Sequence, residues 1–361
     1  VSLPQLRLSV IVPARNAAST LGTVLTAVRA SQLPPNSYEI IVVDDCSGDA
    51  SAAIGARYAD VVVRLNGRVA GPAYARNRGA EVARGEVIAF VDADVIVAPD
   101  TLPRMLAALD TSPTLGGVSA SHDDEKEAPN FVTEYWNLLL RFGEERYAAG
   151  RAHFASGCGA VRREVLESVG KYDEWRFATG CLESLELGRR LHEAGHDVLL
   201  DPALKVSHLT RWTLGSVCRE VWSRSVLLAR SLGYQRTRAL IPGEVVFTLS
   251  RALTPIVAIG ATLSLAAAFL PGLYVSSETA VALAVLLLAN HSMHGFFAKS
   301  RGVGFAVAAA PIHLCVQGVS AVALCAGWIL RDAVGDIVPD ATTQAYSEVG
   351  LQTWPPIPRR P

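Results

Sequence analysis

Between Val245 and Leu330 the ionised side chains are Arg251, Glu278, Lys299 and Arg301, set among long runs of Ala, Val and Leu. A stretch so poor in charge calls for lipid as its solvent, so the chain divides into a part built for water and a part built for a bilayer. Half of the 361 residues are hydrophobic and 19% are charged, too apolar a balance for one ordinary soluble domain. Within the apolar part, Ala252 to Leu270 is a first span ending at Pro271-Gly272, and Thr279 to Ala298 a second. Val303 to Leu330 is a third, with Pro311 inside it. The third is longer than one straight crossing needs, which leaves a tilt, a kink at Pro311 or an interfacial start open. The competing reading, buried helices of a large soluble protein, requires three such runs in succession.

Lys and Arg set the orientation. Arg230, Arg236, Arg238 and Arg251 precede the first span, PGLYVSSE carries neither, and Lys299 and Arg301 lie between the second and third spans. Three crossings, with the N-terminal domain in the cytoplasm and the C-terminus outside, satisfy this pattern. The opening VSLPQLRLSVIVPARN has no long apolar run after a basic start, again an expectation of a cytoplasmic first domain. The six cysteines form no CxxC pair, which points away from zinc and toward a reducing compartment. A net charge of -1 excludes a general affinity for nucleic acid.

The first two hundred residues alternate short apolar runs with helical spacing. LSVIVPARN leads into AASTLGTVLTAVRASQL, EIIVVDD into SGDASAAIGARYA, and VVVRL into GPAYARNRGAEVARG, after which EVIAFVDAD ends in acids. Apolar strands alternating with helices predict an α/β, Rossmann-like, mostly parallel sheet covered on both faces, with ligands at the C-terminal strand ends. No GxGxxG follows the first strand and no GxxxxGK[ST] occurs, so the two commonest phosphate turns are absent. Carboxylates stand at the strand ends instead: Asp44 and Asp45, then Asp92 and Asp94. Acids at i and i+2 leaving a strand project to one side, where they suit a hard divalent cation and, through it, a diphosphate. A nucleotidyltransferase would want a basic phosphate loop after the first strand, where VPARNAAST stands.

SVIVPARN, IIVVDDCSGD, GPAYARNRGAEVARGEVIAFVDAD, SGCGAVRREVLESVGKYDE, LESLELGRRLHEAGH and PALKVSHL, in this order, resemble the family 2 inverting glycosyltransferases of GT-A fold over roughly residues 7 to 215. The resemblance implies a nucleoside-diphosphate sugar donor, UDP- or GDP-linked. Pro13, Ala14, Arg15 and Asn16 with Asp45, and Asp44 beside it, would hold base and ribose. Asp92 would face the ribose, and Asp94 would ligate Mn2+ or Mg2+ with His208 as a further ligand. Arg76 and Asn77 match a segment near the nucleotide, where Arg76 pairs either phosphate or one of the acids. Gly157 and Gly159 match a loop close to the sugar, or form a plain tight turn.

One position departs from the family. Relatives carry Glu-Asp shortly before the Glu-Leu of ELGRRL, the Asp acting as base on the acceptor hydroxyl; here Glu183 matches the first acid and Ser184 stands in place of the Asp. A serine cannot act as a carboxylate base. Either Glu183 takes the role, or the acceptor is a lipid phosphate that attacks as an anion, or the chain is a silent membrane scaffold that binds nucleotide-sugar without turnover. Glu186 reads as a partner for Arg189 or Arg190. Arg211 and Trp212 open a basic stretch with Val217, Val221 and Trp222 on an apolar face, either an interfacial helix beside a lipid-linked acceptor or an ordinary packed helix. QxxRW is absent, which argues against processive polymer synthesis. The plan is a catalytic domain over 1–230, a basic linker over 231–251, about three membrane helices over 252–330, and a disordered tail over 331–361.

Overall fold

The structure is a computed structural model that describes residues 6–67, 70–123, 129–147, 154–155, 157–174, 183–231, 290–333 and 351–353. The first expected span, the basic linker, residues 279–289 of the second span, Cys181 and most of the tail lie outside the described residues. The chain divides into two compact units, one of residues 1–126, 143–210 and 337–361, the other of residues 127–142 and 211–336.

The first unit is built on the strands read from the sequence. β1 (Leu8–Ala14), β2 (Tyr38–Asp45), β3 (Val61–Leu65) and β4 (Val87–Val91) lie parallel in the order β3-β2-β1-β4, with α1 (Leu21–Arg29), α2 (Ser51–Tyr58) and α3 (Pro72–Val82) as crossovers. Both faces of these strands are buried, which is why they read as continuous apolar runs. On β1, Leu8, Val10 and Val12 join one core with Leu21, Val24 and Leu25 of α1, while Ile11 joins the opposite core with Ala73 and Tyr74 of α3. α3 lies so close to the sheet that a side chain on Gly79 would begin 2.5 Å from Ile11 Cγ2.

Beyond β4 the sheet is mixed rather than mostly parallel. β5 (Val95–Val97), α4 (Thr101–Thr111), β6 (Leu115–His122), α5 (Phe131–Tyr147), β7 (Cys158–Arg162), α6 (Arg163–Ser168), α7 (Glu183–Glu193) and β8 (Asp197–His208) follow in sequence. β7 runs antiparallel between β4 and β6, β8 pairs parallel with β6, and β5 pairs antiparallel with β8. Gly159 on β7 permits this packing: a Cβ there would meet Ala155 O at 2.5 Å and Phe154 Cζ at 3.0 Å.

In the tail, β9 (Leu351–Thr353) pairs antiparallel with β3 at the sheet edge. This short strand stands within the segment expected to be disordered. A backbone ladder cannot form across a bilayer, so this pairing does not fit the expectation of a C-terminus outside.

In the second unit, the start of α5, α8 (Leu214–Ser231), α9 (His291–Arg301) and α10 (Val303–Ala333) share a core of Tyr135, Trp136, Val217, Val221, Met293, Phe297 and Ala309. α8 is therefore a packed helix, with Ser225 and Ser320 hydroxyls 2.8 Å apart between α8 and α10. Trp222 stays on its exposed side. α10 runs through Pro311 as one helix of 31 residues. Among the described residues it alone is long and apolar enough to cross a membrane, over Val303–Leu330 with hydropathy 1.7. Val303, Val307, Trp328 and Ile329 form its exposed side.

Candidate active site

Because β1, β2 and β4 are parallel and adjacent, their C-terminal ends bring Ala14, Asp45 and Val91 to one edge of the sheet. The loops leaving β1 and β2 are tied together there. Asn16 N donates to Ser47 Oγ at 3.0 Å, Gly48 N to Asn16 Oδ1 at 2.9 Å, Ala17 N to Ser51 Oγ at 2.8 Å and Ala18 N to Asp49 Oδ2 at 3.0 Å. Asn16 and Cys46 adopt left-handed backbone, φ 49° and 54°, to make these turns. Pro13 and Ala14 end β1 and Arg15 is exposed.

The two acids after β2 have different surroundings. Asp45 accepts Ala70 N and Gly71 N, each at 2.9 Å, and so fixes the start of α3, where Gly71 has φ 92°. Asp44 is buried, with Oδ2 3.9 Å from Arg64 Nε and Oδ1 without a hydrogen-bond partner. An unpaired buried carboxylate oxygen is costly and marks a place for a donor to bind.

Arg76, buried on α3, bridges two carboxylates from distant parts of the chain. Its Nη2 donates to Asp92 Oδ1 at 2.8 Å and its Nη1 to Glu183 Oε1 at 2.9 Å. Burial opposes the guanidinium charge, but Asp92, Tyr172 and Glu183 hold its pKa above the ordinary value. Desolvation raises the Asp92 carboxyl, with Arg76 pulling against it. Glu183 Oε2 is buried and has no hydrogen-bond partner. Ser184, the next residue, is half-buried. Asn77 turns elsewhere: Nδ2 donates to Tyr172 O at 2.9 Å and Glu174 Oε2 at 2.6 Å, while its Oδ1 accepts Tyr172 N at 3.0 Å. Glu186 accepts from Arg190 Nε at 2.7 Å, a helical i, i+4 pair.

Asp94 comes within one residue of His208 along the backbone, because β5 and β8 pair with Val95 opposite His208, and Leu209 N donates to Asp94 O at 2.8 Å. The Thr210 hydroxyl donates to Asp94 Oδ2. Asp92 N donates to Gly157 O at 2.9 Å, and a side chain on Gly157 would begin 3.5 Å from Asp92 Oδ2 and 3.9 Å from His208 Nε2. Glycine thus keeps open the space between these two groups. Burial first, then the neighbouring His122, pushes the His208 pKa down to about 3, so its imidazole is neutral at pH 7.

The Asp92 and Asp94 carboxylates and a neutral imidazole, all at this strand end, are the oxygen and nitrogen donors that suit Mn2+ or Mg2+. Among the described residues no three His, Cys, Asp or Glu side chains gather around one point, so such an ion would take its remaining oxygens from substrate and water. Arg211 and Trp212 belong to the second unit; Arg211 is exposed, and Trp212 N donates to Thr133 Oγ1 at 2.9 Å. Sequence reasoning missed Thr210 and the pair His122 and Glu144. His122 ends an apolar strand, GGVSASH, in the way the acids end theirs, and that was its available signal.

Residues 9–170 match the family model described as Glycosyl transferase family 2. The succinoglycan biosynthesis protein ExoO of Rhizobium meliloti (strain 1021) is 40% identical over 104 residues, 28% of this chain and 29% of that protein. The beta-monoglucosyldiacylglycerol synthase of Trichormus variabilis (strain ATCC 29413 / PCC 7937) is 26% identical over 274 residues, 70% of this chain and 57% of that protein. The chain thus spans 29% and 57% of the length of these two relatives. Among solved structures, a mannosyltransferase from Pyrobaculum calidifontis in complex with GDP-Man and Mn2+ superimposes with a TM-score of 0.58 at 20% identity, covering 91% of this chain and 88% of that one. With strand-end acids on a sheet of this order and the family match over residues 9–170, that part of the chain is a family 2 glycosyltransferase domain, on a sheet of GT-A fold.

Proposed function

We propose that the chain transfers one sugar, with inversion, from a UDP- or GDP-sugar to a lipid-linked acceptor at the cytoplasmic face of a membrane. The observation that carries this reading is the convergence of Asp92, Asp94, Gly157 and His208 at the edge of the sheet where the β1 and β2 loops also end. Pro13 to Asn16 form the nucleotide floor, and the unpaired oxygen of Asp44 is the acceptor for a base or ribose donor. Asp45 and Asn77 act at one remove, by fixing the start of α3 and the Tyr172–Glu174 turn. Asp92 faces the ribose while Arg76 holds its other oxygen.

Asp94 and His208 hold Mn2+ or Mg2+, which when bound supplies positive charge to the leaving diphosphate. Gly157 and Gly159 let backbone approach the sugar. On the acceptor side Glu183, fixed through Oε1 by Arg76, takes the acceptor proton on Oε2, the base that Ser184 cannot be. A lipid acceptor is favoured by the likeness to the beta-monoglucosyldiacylglycerol synthase and by the apolar exposed side of α10.

The test uses the full chain in membranes with Mn2+ and a panel of UDP- and GDP-sugars, read by nucleoside diphosphate release and by mass spectrometry of extracted lipids. One donor should give a glycosylated lipid, and Asp94→Ala should remove that product. Binding of a nucleotide-sugar without turnover of any donor would instead identify a membrane scaffold.

A further inference from the structure

A histidine that ligates a metal is ordinarily oriented by a hydrogen bond from its other ring nitrogen to a carboxylate, carbonyl or water. His208 lacks that support: its Nδ1 is buried and has no hydrogen-bond partner among the described residues. What lies against the ring is His122, stacked face to face with centroids 4.3 Å apart and planes 7° from parallel. The two rings meet because β6 and β8 pair with His122 opposite Val206, two residues before His208 on the same strand face.

His122 is itself held on several sides. Its Nδ1 lies 2.6 Å from Glu144 Oε1, its backbone N donates to Glu144 Oε2 at 3.0 Å, and the neighbouring Ser121 hydroxyl donates to the same oxygen at 3.1 Å. Glu144 is buried and reaches the pair from the end of α5. Asp123 N, donating to Val206 O at 2.8 Å, pins the strand just past the ring. A fixed carboxylate thus fixes one imidazole, and the flat face of that imidazole is what His208 rests on.

We propose that His122, clamped by Glu144, is a positioning residue for the metal: its ring face replaces the missing hydrogen bond and holds His208 with Nε2 turned toward Asp92 and Gly157. This rests on the reading of His208 as a metal ligand, and the experiment separates the two. Mn2+ binding to the full chain, without donor, is measured by electron paramagnetic resonance of the free ion for the wild type, His208→Ala, His122→Leu and His122→Phe. Leu and Phe both fill the site, but only Phe offers a flat face.

His122→Leu should weaken Mn2+ binding by roughly 10-fold or more, the size seen when outer supports of metal ligands are removed. His122→Phe should stay within ~3-fold of wild type, since an aromatic face restores the stack. A purely structural role would lower the melting temperature of both variants and leave Mn2+ affinity unmoved. If His208→Ala weakens binding and His122→Leu does not, or if Phe is as weak as Leu, the positioning role is overturned while the ligand stands. If His208→Ala binds Mn2+ as the wild type does, the ligand assignment falls and the positioning role with it.

Discussion

At the residue scale the site turns on one arginine. Arg76 joins Asp92, just past β4, to Glu183, at the start of α7, so the carboxylates proposed for the donor and acceptor sides share a buried cation. Each carboxylate spends one oxygen on Arg76, and the second oxygen of Glu183 is left without a partner. An oxygen held that way needs no reorganisation before it accepts a proton. Glu183→Gln preserves shape and the bond from Arg76 to Oε1 but removes the base. With a hydroxyl acceptor the turnover number should fall by about 10^2 to 10^4, while the KM for the donor changes little. Transfer at the wild-type rate would mean that the acceptor attacks as an anion, and the base role would be withdrawn. Asp92 and Asp94 stand out in the sequence as acids at a strand end, and Glu183 through the likeness of LESLELGRRLHEAGH to the family motif. The turn of Asn77 away from the nucleotide was not legible there, since its partners Tyr172 and Glu174 lie 95 and 97 residues further along.

At the scale of elements, β1 to β4 could be read because strands buried on both faces leave unbroken apolar runs between clear turn signals. β6, β7 and β8 could not be read so easily. β7 is five residues with a glycine, and β8 contains Pro202 and an irregular step where Ala120 and Ser121 pair with Asp201 and Lys205. Their pairing depends on contacts far apart in sequence. The opposite edge of the sheet carries a buried knot the sequence did not announce. Glu39, fully buried at the start of β2, accepts from Ser9 Oγ at 2.7 Å, Arg84 N at 2.7 Å and Arg84 Nε at 2.9 Å. These bonds tie β1, β2 and the approach to β4 together at the end away from the site. Glu39→Ala removes the acceptor of the Ser9 hydroxyl and of the Arg84 guanidinium, leaving Arg84 N with Ser9 Oγ alone, and should cost about 2 kcal/mol of stability, read as a lower melting temperature. Sugar transfer measured well below that temperature should be unchanged, because the C-terminal strand ends do not use this knot.

For the whole molecule, the pairing of β9 with β3 bears on the proposed membrane arrangement. A tail strand on the edge of this sheet would put both on one side of any bilayer the chain crosses, which fits an even number of crossings and not three. The charges choose between the even arrangements. Lys299 and Arg301 end α9, and Arg301 pairs with Glu134 of α5, a helix inserted between two strands of the catalytic domain. If residues 252–290 cross as a hairpin ahead of α9, Lys299 and Arg301 return to the cytoplasm, as the positive-inside pattern wants. α10 then stays on that side, bound to α5 by Tyr135 and His313 at 2.8 Å and to α8 by Ser225 and Ser320. Its exposed Val303, Val307, Trp328 and Ile329 would dip into the leaflet instead of spanning it. In sealed inside-out vesicles, protease should therefore remove an N-terminal and a C-terminal epitope tag together, and in right-side-out vesicles it should spare both. A C-terminal tag cleaved only from the outer face would restore three crossings, make α10 the last of them, and rule out the β3–β9 ladder in the membrane-bound protein.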